Sequence, residues 1–482
     1  MEAPNAKIDK WKEKAVKRSK EIKSLRKRIS ELHQSRDKWK QKALESKCRR
    51  AGLRARGNQI SDCFKGDCPH GHSYSATLIA LLVMVRVNTG AGLRSCCKTI
   101  GLLFFYLEVQ VKVPSYNSVN NWSKKIGLYY LLQDQQDVKE KLCKWIVLID
   151  ESVGIGQNRL LVIAGIEEGQ LKGMKESFKP LSLRLFYIAS AKSWTADKIA
   201  MALDKGVPKD SICYVVSDKG SNILKALAIR QVTHVADCTH ALAQIVGHIY
   251  AKDGQYIAYT ACLNLIRQQW ILSAQAALVP PQQRSKSRFL NLRELSGYGM
   301  KILQNAPMLL QESDQASTLI KKIEAFRPLI EQMDIISRIT DKVLKYLKNR
   351  GMDKFMCQRL IEKLSTLKAG DKVQLFCEKL TQYLQYLLEK AIDRDYLYCS
   401  SDVLESWFGK YKSLCNNQPA AGITDSVLSM AAFGKQPGLE LIKQALAQIK
   451  MKDINLWKQE NTTETLQSMR KRIFKNGTKK CG

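Results

Sequence analysis

Three acidic residues in this chain stand where carboxylates can do chemistry. Asp150 closes the apolar run Trp145-Ile-Val-Leu-Ile149, Asp218 follows Ile212-Cys-Tyr-Val-Val216-Ser217, and Glu405 lies in Asp402-Val-Leu-Glu-Ser-Trp-Phe-Gly-Lys410. Two acids at the ends of buried strands, with a third on a helix far downstream, make the donor set that a pair of divalent cations needs. Hard oxygen ligands suit Mg2+ or Mn2+. Two such ions about 3.5–4 Å apart cut phosphodiesters by activating the attacking oxygen and stabilising the leaving one. Asp402 competes with Glu405 for the third place, because residues three apart share a helix face, and Asp402-x-x-Glu405 also reads as a helix capping box. The continuation Trp-Phe-Gly-Lys-Tyr-Lys favours Glu405. Glu151 reads as a neighbour without metal contact. Taken singly, Asp150 and Asp218 each have an ordinary alternative role as a cap at a strand-to-turn junction.

The elements that must position these acids are legible in outline. Runs at 145–150, 159–166 and 183–190 are strand-like and separated by turn-forming Gly, Asn, Lys and Pro, as in an antiparallel meander. A helix at 195–205, a strand at 212–218, a helix at 221–229, a short strand at 233–236 and a helix at 239–250 then alternate as crossover units do. This β-β-β-α-β-α-β-α order predicts an α/β, RNase H-like core with a mixed five-stranded sheet. It also predicts that Asp150 and Asp218 end neighbouring central strands. From 251 to 398 apolar residues recur at helical steps, as in Leu380, Leu384, Leu387 and Leu388. A mostly α-helical insertion therefore separates the second acid from the third. Within it, Val279-Pro280-Pro281 opens an exposed basic loop. There Arg284, Lys286 and Arg288 are candidate DNA contacts, with an ordinary solvated loop as the alternative.

Composition narrows the partners. The 78 Lys+Arg against 45 Asp+Glu give a formal net charge of +33, which implies a polyanion, nucleic acid ahead of an anionic membrane surface. A 45% hydrophobic content over 482 residues supports real cores and excludes overall disorder. The longest apolar run, Leu78 to Val85, is far shorter than the roughly 20 residues of a spanning helix, and the polar, lysine-rich start carries no apolar signal core. The 14 cysteines have no disulfide-scaffold spacing, which fits a reducing compartment: the cytoplasm and nucleoid of a prokaryote, or a eukaryotic nucleus.

Before the core come two candidate DNA-handling regions. In residues 1–56, Ile8, Trp11, Ala15, Ile22, Leu25, Ile29, Leu32, Trp39 and Ala43 fall on alternating three- and four-residue steps once Arg18 and Arg36, which interrupt the series at seam positions, are counted. This is the seam of a basic coiled coil, with a solvated helix carrying an incidental charge run as the alternative. Cys63, Cys68, His70 and His72 follow at a spacing too cramped for the usual zinc sites, so a free-thiol linker is expected. Residues 72–135 read as a helix-turn-helix domain. Ser115 would cap and Gly127 would stop a short recognition helix. Its inner stripe is Val119, Trp122 and Ile126; its outer face presents Asn117, Asn120, Asn121, Lys124 and Lys125 to the major groove. The alternative is one more exposed connector helix.

Together, Leu148-Ile-Asp150-Glu, Val216-Ser-Asp218-Lys-Gly-Ser-Asn222 and Asp402-Val-Leu-Glu405-Ser-Trp-Phe-Gly resemble the motifs of DDE transposases of insertion sequences. The helical insertion before the last acid is similar to that of the hAT-like branch. Asp237-Cys-Thr-His240 matches the "C or D, two residues, H" signature of that branch and its relatives. The resemblance spans roughly 72 to 435. It implies that Asp150 bridges two Mg2+ (or Mn2+) ions, with Asp218 and Glu405 as outer ligands. It leaves His240, and likewise Asp237, either orienting the site or merely satisfied at a helix start. The resulting division is a basic arm (1–56), helix-turn-helix (72–135), first part of the catalytic core (141–250), insertion (251–398), last core helix (399–435) and a basic helical tail (436–482), whose end from Arg470 to Lys480 is expected to be flexible. The expected activity is cleavage and strand transfer at element ends. The partners would be double-stranded terminal inverted repeats and target DNA, acted on by a homodimer or higher oligomer with no membrane attachment. Two alternatives remain: an RNase H-fold nuclease or resolvase without strand transfer, and a non-catalytic DNA-binding derivative.

Overall fold

The computed structural model describes residues 3–140, 143–155, 158–171, 183–311, 314–367, 369–391, 394, 396–415 and 422–478. The chain divides into two compact units, 1–82 with 94–116, and 83–93 with 117–482. This division passes through the segment read as one helix-turn-helix domain.

In the first unit, helix α1 (Ala3–Lys65) runs for 63 residues, about 95 Å at 1.5 Å per residue. It continues past Gly52 and takes in Cys63, so the expected free-thiol linker is partly helical; Cys63 and Cys68 are free and exposed. The expected seam residues Trp11, Leu32 and Trp39 are exposed along it. The end of α1 is held by Phe64 packing on Phe104 (ring centroids 5.4 Å apart) and by Ser61 Oγ, which accepts the Gln110 N–H at 2.8 Å. Helices α2 (Ala76–Thr89) and α3 (Leu93–Tyr106) follow.

The second unit is built on a five-stranded mixed sheet. Strands β1 (Trp145–Ile155), β2 (Asn158–Glu167) and β3 (Arg184–Ala191) form an antiparallel meander, with a one-turn helix, α5 (Glu168–Leu171), after β2. Helix α6 (Ala196–Gly206) leads to β4 (Ile212–Ser217), and α7 (Ser221–Ile229) to β5 (His234–Ala236). The order is β3-β2-β1-β4-β5, with β4 and β5 parallel to β1. Alternation along the strands assigns the faces. Trp145, Val147, Ile149 and Val215 pack with Ile199, Leu203, Ile223 and Leu227 of α6 and α7 in one buried cluster. Ile146, Leu148, Asp150, Tyr214, Val216 and Asp218 therefore belong to the opposite face.

Helix α8 (Cys238–Tyr250) follows β5, and α16 (Asp402–Leu414), after the insertion, packs on β1. The insertion comprises α9 (Gly254–Trp270), α10 (Leu292–Gln304), α11 (Ala306–Leu309), α12 (Asp314–Glu324), α13 (Arg327–Arg350), α14 (Lys354–Ser365) and α15 (Asp371–Lys390). Of these, α13 and α15 pack against α8. A two-residue ribbon, β6 (Met352–Asp353) with β7 (Tyr396–Leu397), closes it. Helices α17 (Leu439–Gln448), α18 (Met451–Asn461) and α19 (Leu466–Thr478) end the chain. The segment from Arg470, expected as a flexible tail, is helical to Thr478, and the Thr463 N–H is bonded to Ser190 Oγ of β3 at 3.1 Å.

Three expectations are corrected. Strand β1 does not end at Asp150 but continues to Ile155 against β2, with Asp150 opposite Val162. What stops is its pairing with β4, whose last partner is Leu148↔Val216. Helix α4 (Tyr116–Glu140) likewise does not stop at Gly127. Gly127 is a point of close approach: a Cβ there would meet the Leu428 carbonyl oxygen at 2.1 Å. The middle of α4 is buried. Lys124 turns inward to an ion pair with Asp425 at 3.0 Å, and Lys125 is half-buried, its basicity lowered by burial. Lys124 and Lys125 therefore do not form an outer groove-reading face. Asn117 remains exposed, and Asn120 and Asn121 are half-buried.

Gly127→Ala should destabilise the chain by at least about 1–3 kcal/mol, since the clash is with backbone and cannot be relieved by a rotamer change. A lowered denaturant midpoint with unchanged slope is the expected result; an unaltered midpoint would refute the close packing.

Candidate functional site

The two aspartates are brought side by side by strand register. Leu148 pairs with Val216 in the parallel β1–β4 ladder, so Asp150 and Asp218, each two residues further on and on the same face, lie at the same level of strands about 4.8 Å apart. Because β4 ends at Ser217, this side of Asp150 is free of ladder pairing. The Asp218 carboxylate is aimed by a tight turn in which its Oδ1 accepts the Gly220 N–H at 3.1 Å. The turn is tied to the body of the sheet by Asn222, whose Nδ2 donates to the Trp194 carbonyl at 3.0 Å.

Glu405 arrives from the other end of the chain through a latch that the sequence did not reveal. Asp237, fully buried, caps α8 by accepting the His240 N–H at 2.8 Å on Oδ1. Its Oδ2 accepts the Ser401 N–H at 2.7 Å and the Ser401 hydroxyl at 3.0 Å. Beside it, the Cys238 N–H donates to the Cys399 carbonyl at 2.8 Å and the Thr239 hydroxyl to Asp402 Oδ1 at 2.8 Å. The Asp-Cys-Thr-His segment thus grips 399–402, the stretch that leads into α16 and sets Glu405 on the Asp150 face. Asp402, the competing third acid, is committed to Thr239 and to Lys348, 2.5 Å away. The N-cap position of α16 is Ser401, without a side-chain cap hydrogen bond, so Asp402 is the first helical residue and not the head of a capping box.

The cluster is electrostatically frustrated. Burial first, then the negative charges of Asp218, Glu405 and Asp237, push the Asp150 carboxyl up to about 7, against a hydrogen bond from the Glu151 backbone. His240 lies between the latch and the acids, with Nδ1 at 3.4 Å from Asp237 Oδ1 and Nε2 at 3.9 Å from Glu405 Oε1. Glu405 Oε1 is in ion-pair contact with Arg288 but, among the described residues, receives no directed hydrogen bond. Arg288 reaches it from the loop before α10, which Asn291 pins by accepting the Arg284 N–H and donating to the Arg284 carbonyl, both at 3.1 Å. Of the three cations expected to touch DNA from this loop, Arg284 and Lys286 are exposed, whereas Arg288 is engaged by the acid cluster.

Among the described residues no three His, Cys, Asp or Glu side chains already converge on one point as metal ligands. The donor set nevertheless fits divalent cations. It is all-carboxylate, it accumulates negative charge at a partly solvent-open edge, and the Asp150 carboxyl is disfavoured as an anion until a cation compensates it. No family model and no curated protein matches this chain. Among the described residues no helix is long and apolar enough to cross a membrane.

Asp237→Ala should cost about 2–4 kcal/mol, the sum of a lost helix cap and an unsatisfied buried Ser401 N–H, whereas Ser401→Ala, which removes one hydroxyl bond, should cost only about 1 kcal/mol. Chemical denaturation separates the two; equal small losses would refute the latch. A pH prediction follows from the raised Asp150 carboxyl. Its stabilising contribution is present below the unfolded value near 3.9 and is lost as pH rises through about 7. Metal-free Asp150→Asn should therefore be more stable than the parent protein at pH 8, by up to ~4 kcal/mol, with the difference gone by pH 4. Parallel stability curves would show that the carboxyl is not strained.

Proposed function

We propose that this chain is a metal-dependent DNA transposase that cuts at element ends and joins the released 3′-hydroxyl to target DNA. The observation that carries the reading is the meeting of Asp150, Asp218 and Glu405 on one face of the sheet, from two adjacent strands and a helix that returns after a long insertion. Support comes from the β3-β2-β1-β4-β5 order with β2 alone antiparallel to its neighbours, which we read as an RNase H-like core. The net charge of +33 suits a polyanionic substrate.

In this reading Asp150, Asp218 and Glu405 would together hold two Mg2+ or Mn2+ ions. Bound ions would supply an activated oxygen nucleophile and charge stabilisation for the leaving oxygen. The chain's own residues do the positioning. The Gly220 turn fixes the Asp218 carboxylate, and the Asp237 latch fixes the register of α16 and hence Glu405. His240, held by its backbone at Asp237 and facing Glu405, is placed to orient either the carboxylate or a substrate phosphate. The apolar steps along α1 offer a second copy of the chain a seam, which would pair two element ends. The nuclear or nucleoid setting follows from the substrate.

Asp150→Ala, Asp218→Ala and Glu405→Ala should each lower Mg2+-dependent cleavage of end-containing DNA at least about a thousandfold, while duplex binding stays within a few-fold of the parent. Cleavage surviving all three changes would remove the assignment. A pre-cut substrate with a free 3′-hydroxyl separates the alternatives: joined product supports transposition, and cutting without joining supports a nuclease. Independently of activity, millimolar Mg2+ should raise the melting temperature of the parent protein at pH 8 and leave that of Asp150→Ala unmoved.

A further inference from the structure

Beside the acid cluster, between α8 and α15, lies a cavity of about 340 Å³ whose walls include Lys219, Gln244, His248, Lys379 and Tyr386. It begins where the acid site ends: Lys219 directly follows Asp218, and Ala241, also in its wall, directly follows His240. Along α8, His240, Gln244 and His248 recur at four-residue steps. They therefore share one helix face and are displaced by about 6 Å from one to the next. One stripe thus leads out of the acid cluster into the cavity.

The cavity is basic and its cations are uncommitted. Around the same core, Lys124, Lys372 and Lys435 are each paired with an aspartate. Among the described residues, neither Lys219 nor Lys379 has a carboxylate within ion-pair distance. Lys390 lies over the Tyr386 ring at 5.6 Å, adding a third positive group at the rim. The field is felt by His234, whose basicity is lowered by burial and further by Lys219 and Lys390. The floor is rigid, because the Tyr383 and Tyr386 hydroxyls donate to the Ala236 and His234 carbonyls, each at 3.0 Å. A volume at the small end of ligand sites admits a sugar-phosphate step and excludes a duplex.

We infer that this cavity seats backbone phosphates of the nucleic-acid strand that enters the acid cluster, one or two nucleotides from the position that is cut. The inference rests on the proposed reading for what the acids do, but the binding itself does not require cleavage. Its chemistry is that of a strand path: compact ammonium groups for the phosphates, amides for sugar or base edges, and an aromatic wall.

The test uses the full chain in EDTA, with a mixed-sequence single-stranded oligonucleotide and fluorescence anisotropy across a salt series. Removing one lysine that neutralises a single-strand phosphate should make the slope of log K against log salt shallower by about 0.7. Lys379→Gln and Lys219→Gln should each do so, the double change should give roughly 1.4, and Lys379→Arg should keep the parent slope. Lys198→Gln, an exposed lysine on α6 across the sheet, should leave the slope unchanged. Equal slopes for Lys379→Gln and Lys198→Gln would overturn the site. So would a Lys379→Arg slope as shallow as that of Lys379→Gln, since that marks a packing role. Failure of the proposed reading is separate: a parent protein that does not cut with Mg2+ yet shows these slopes keeps the strand site and loses the transposase.

Discussion

The buried carboxylate of Asp237 is the constraint on which the arrangement depends. It closes a polypeptide excursion from residue 238 to residue 399, and closing so long a loop costs only slightly more than closing a short one. What must be supplied is specificity of the landing point. A buried anion with three donors, the His240 N–H and the N–H and hydroxyl of Ser401, provides it, because a slip by one residue leaves a desolvated charge and a buried N–H unsatisfied. The Cys238–Cys399 backbone bond and the Thr239–Asp402 bond add register on either side. Helix α16 then starts at a fixed place, and its first turn delivers Glu405.

Order at the latch permits disorder of charge at the acids. Asp150, Asp218 and Glu405 repel one another at a partly buried edge, and nothing about stability favours such a cluster. The surrounding sheet absorbs the cost: the strands beneath are apolar and fully buried, with Trp145, Val147, Ile149 and Val215 packed against α6 and α7. Arg288 offsets part of the charge from outside. That guanidinium comes from a loop pinned by Asn291, so the insertion contributes to the electrostatics of the site as well as lengthening the chain. Frustration held in place by a well-satisfied scaffold is the pattern expected of a functional centre.

How much of this could be read from the sequence depended on the range of the interaction. The strands and helices of the core follow local alternation and caps, and the observed β2, β3, β4 and α7 lie within a residue or two of their expected limits. Asp150 and Asp218 could be paired because both follow apolar runs. What escaped was non-local. Lys124 looks like an outward cation until Asp425, 301 residues away, is set beside it. Gly127 looks like a helix stop until the Leu428 carbonyl is seen against it. Strand β1 continues past Asp150 because β2 extends equally far, a property of the pairing and not of the residues 151–155 themselves. Asp237 carried a signal, an acid three residues before His240 at a helix start, but its second set of partners could not be inferred.

The same insertion that separates the second and third acids also walls the space beside them. Helix α15 faces α8 through Tyr383 and Tyr386, which hydrogen-bond to the carbonyls of β5, and it presents Lys379 and Lys390 next to Lys219. The loop before α10 presents Arg288 to Glu405. One excursion of the chain therefore sets the third carboxylate, one cation that contacts it, and two cations a short distance along α8. These groups are fixed relative to one another by the latch at 399–402 and by the tyrosine contacts, both of which end on the same strand-to-helix segment, 234–240. A shift of that segment would move Glu405 and the cations of α15 together, so the spacing between the third carboxylate and the basic cavity is a property of the fold and not of any one side chain.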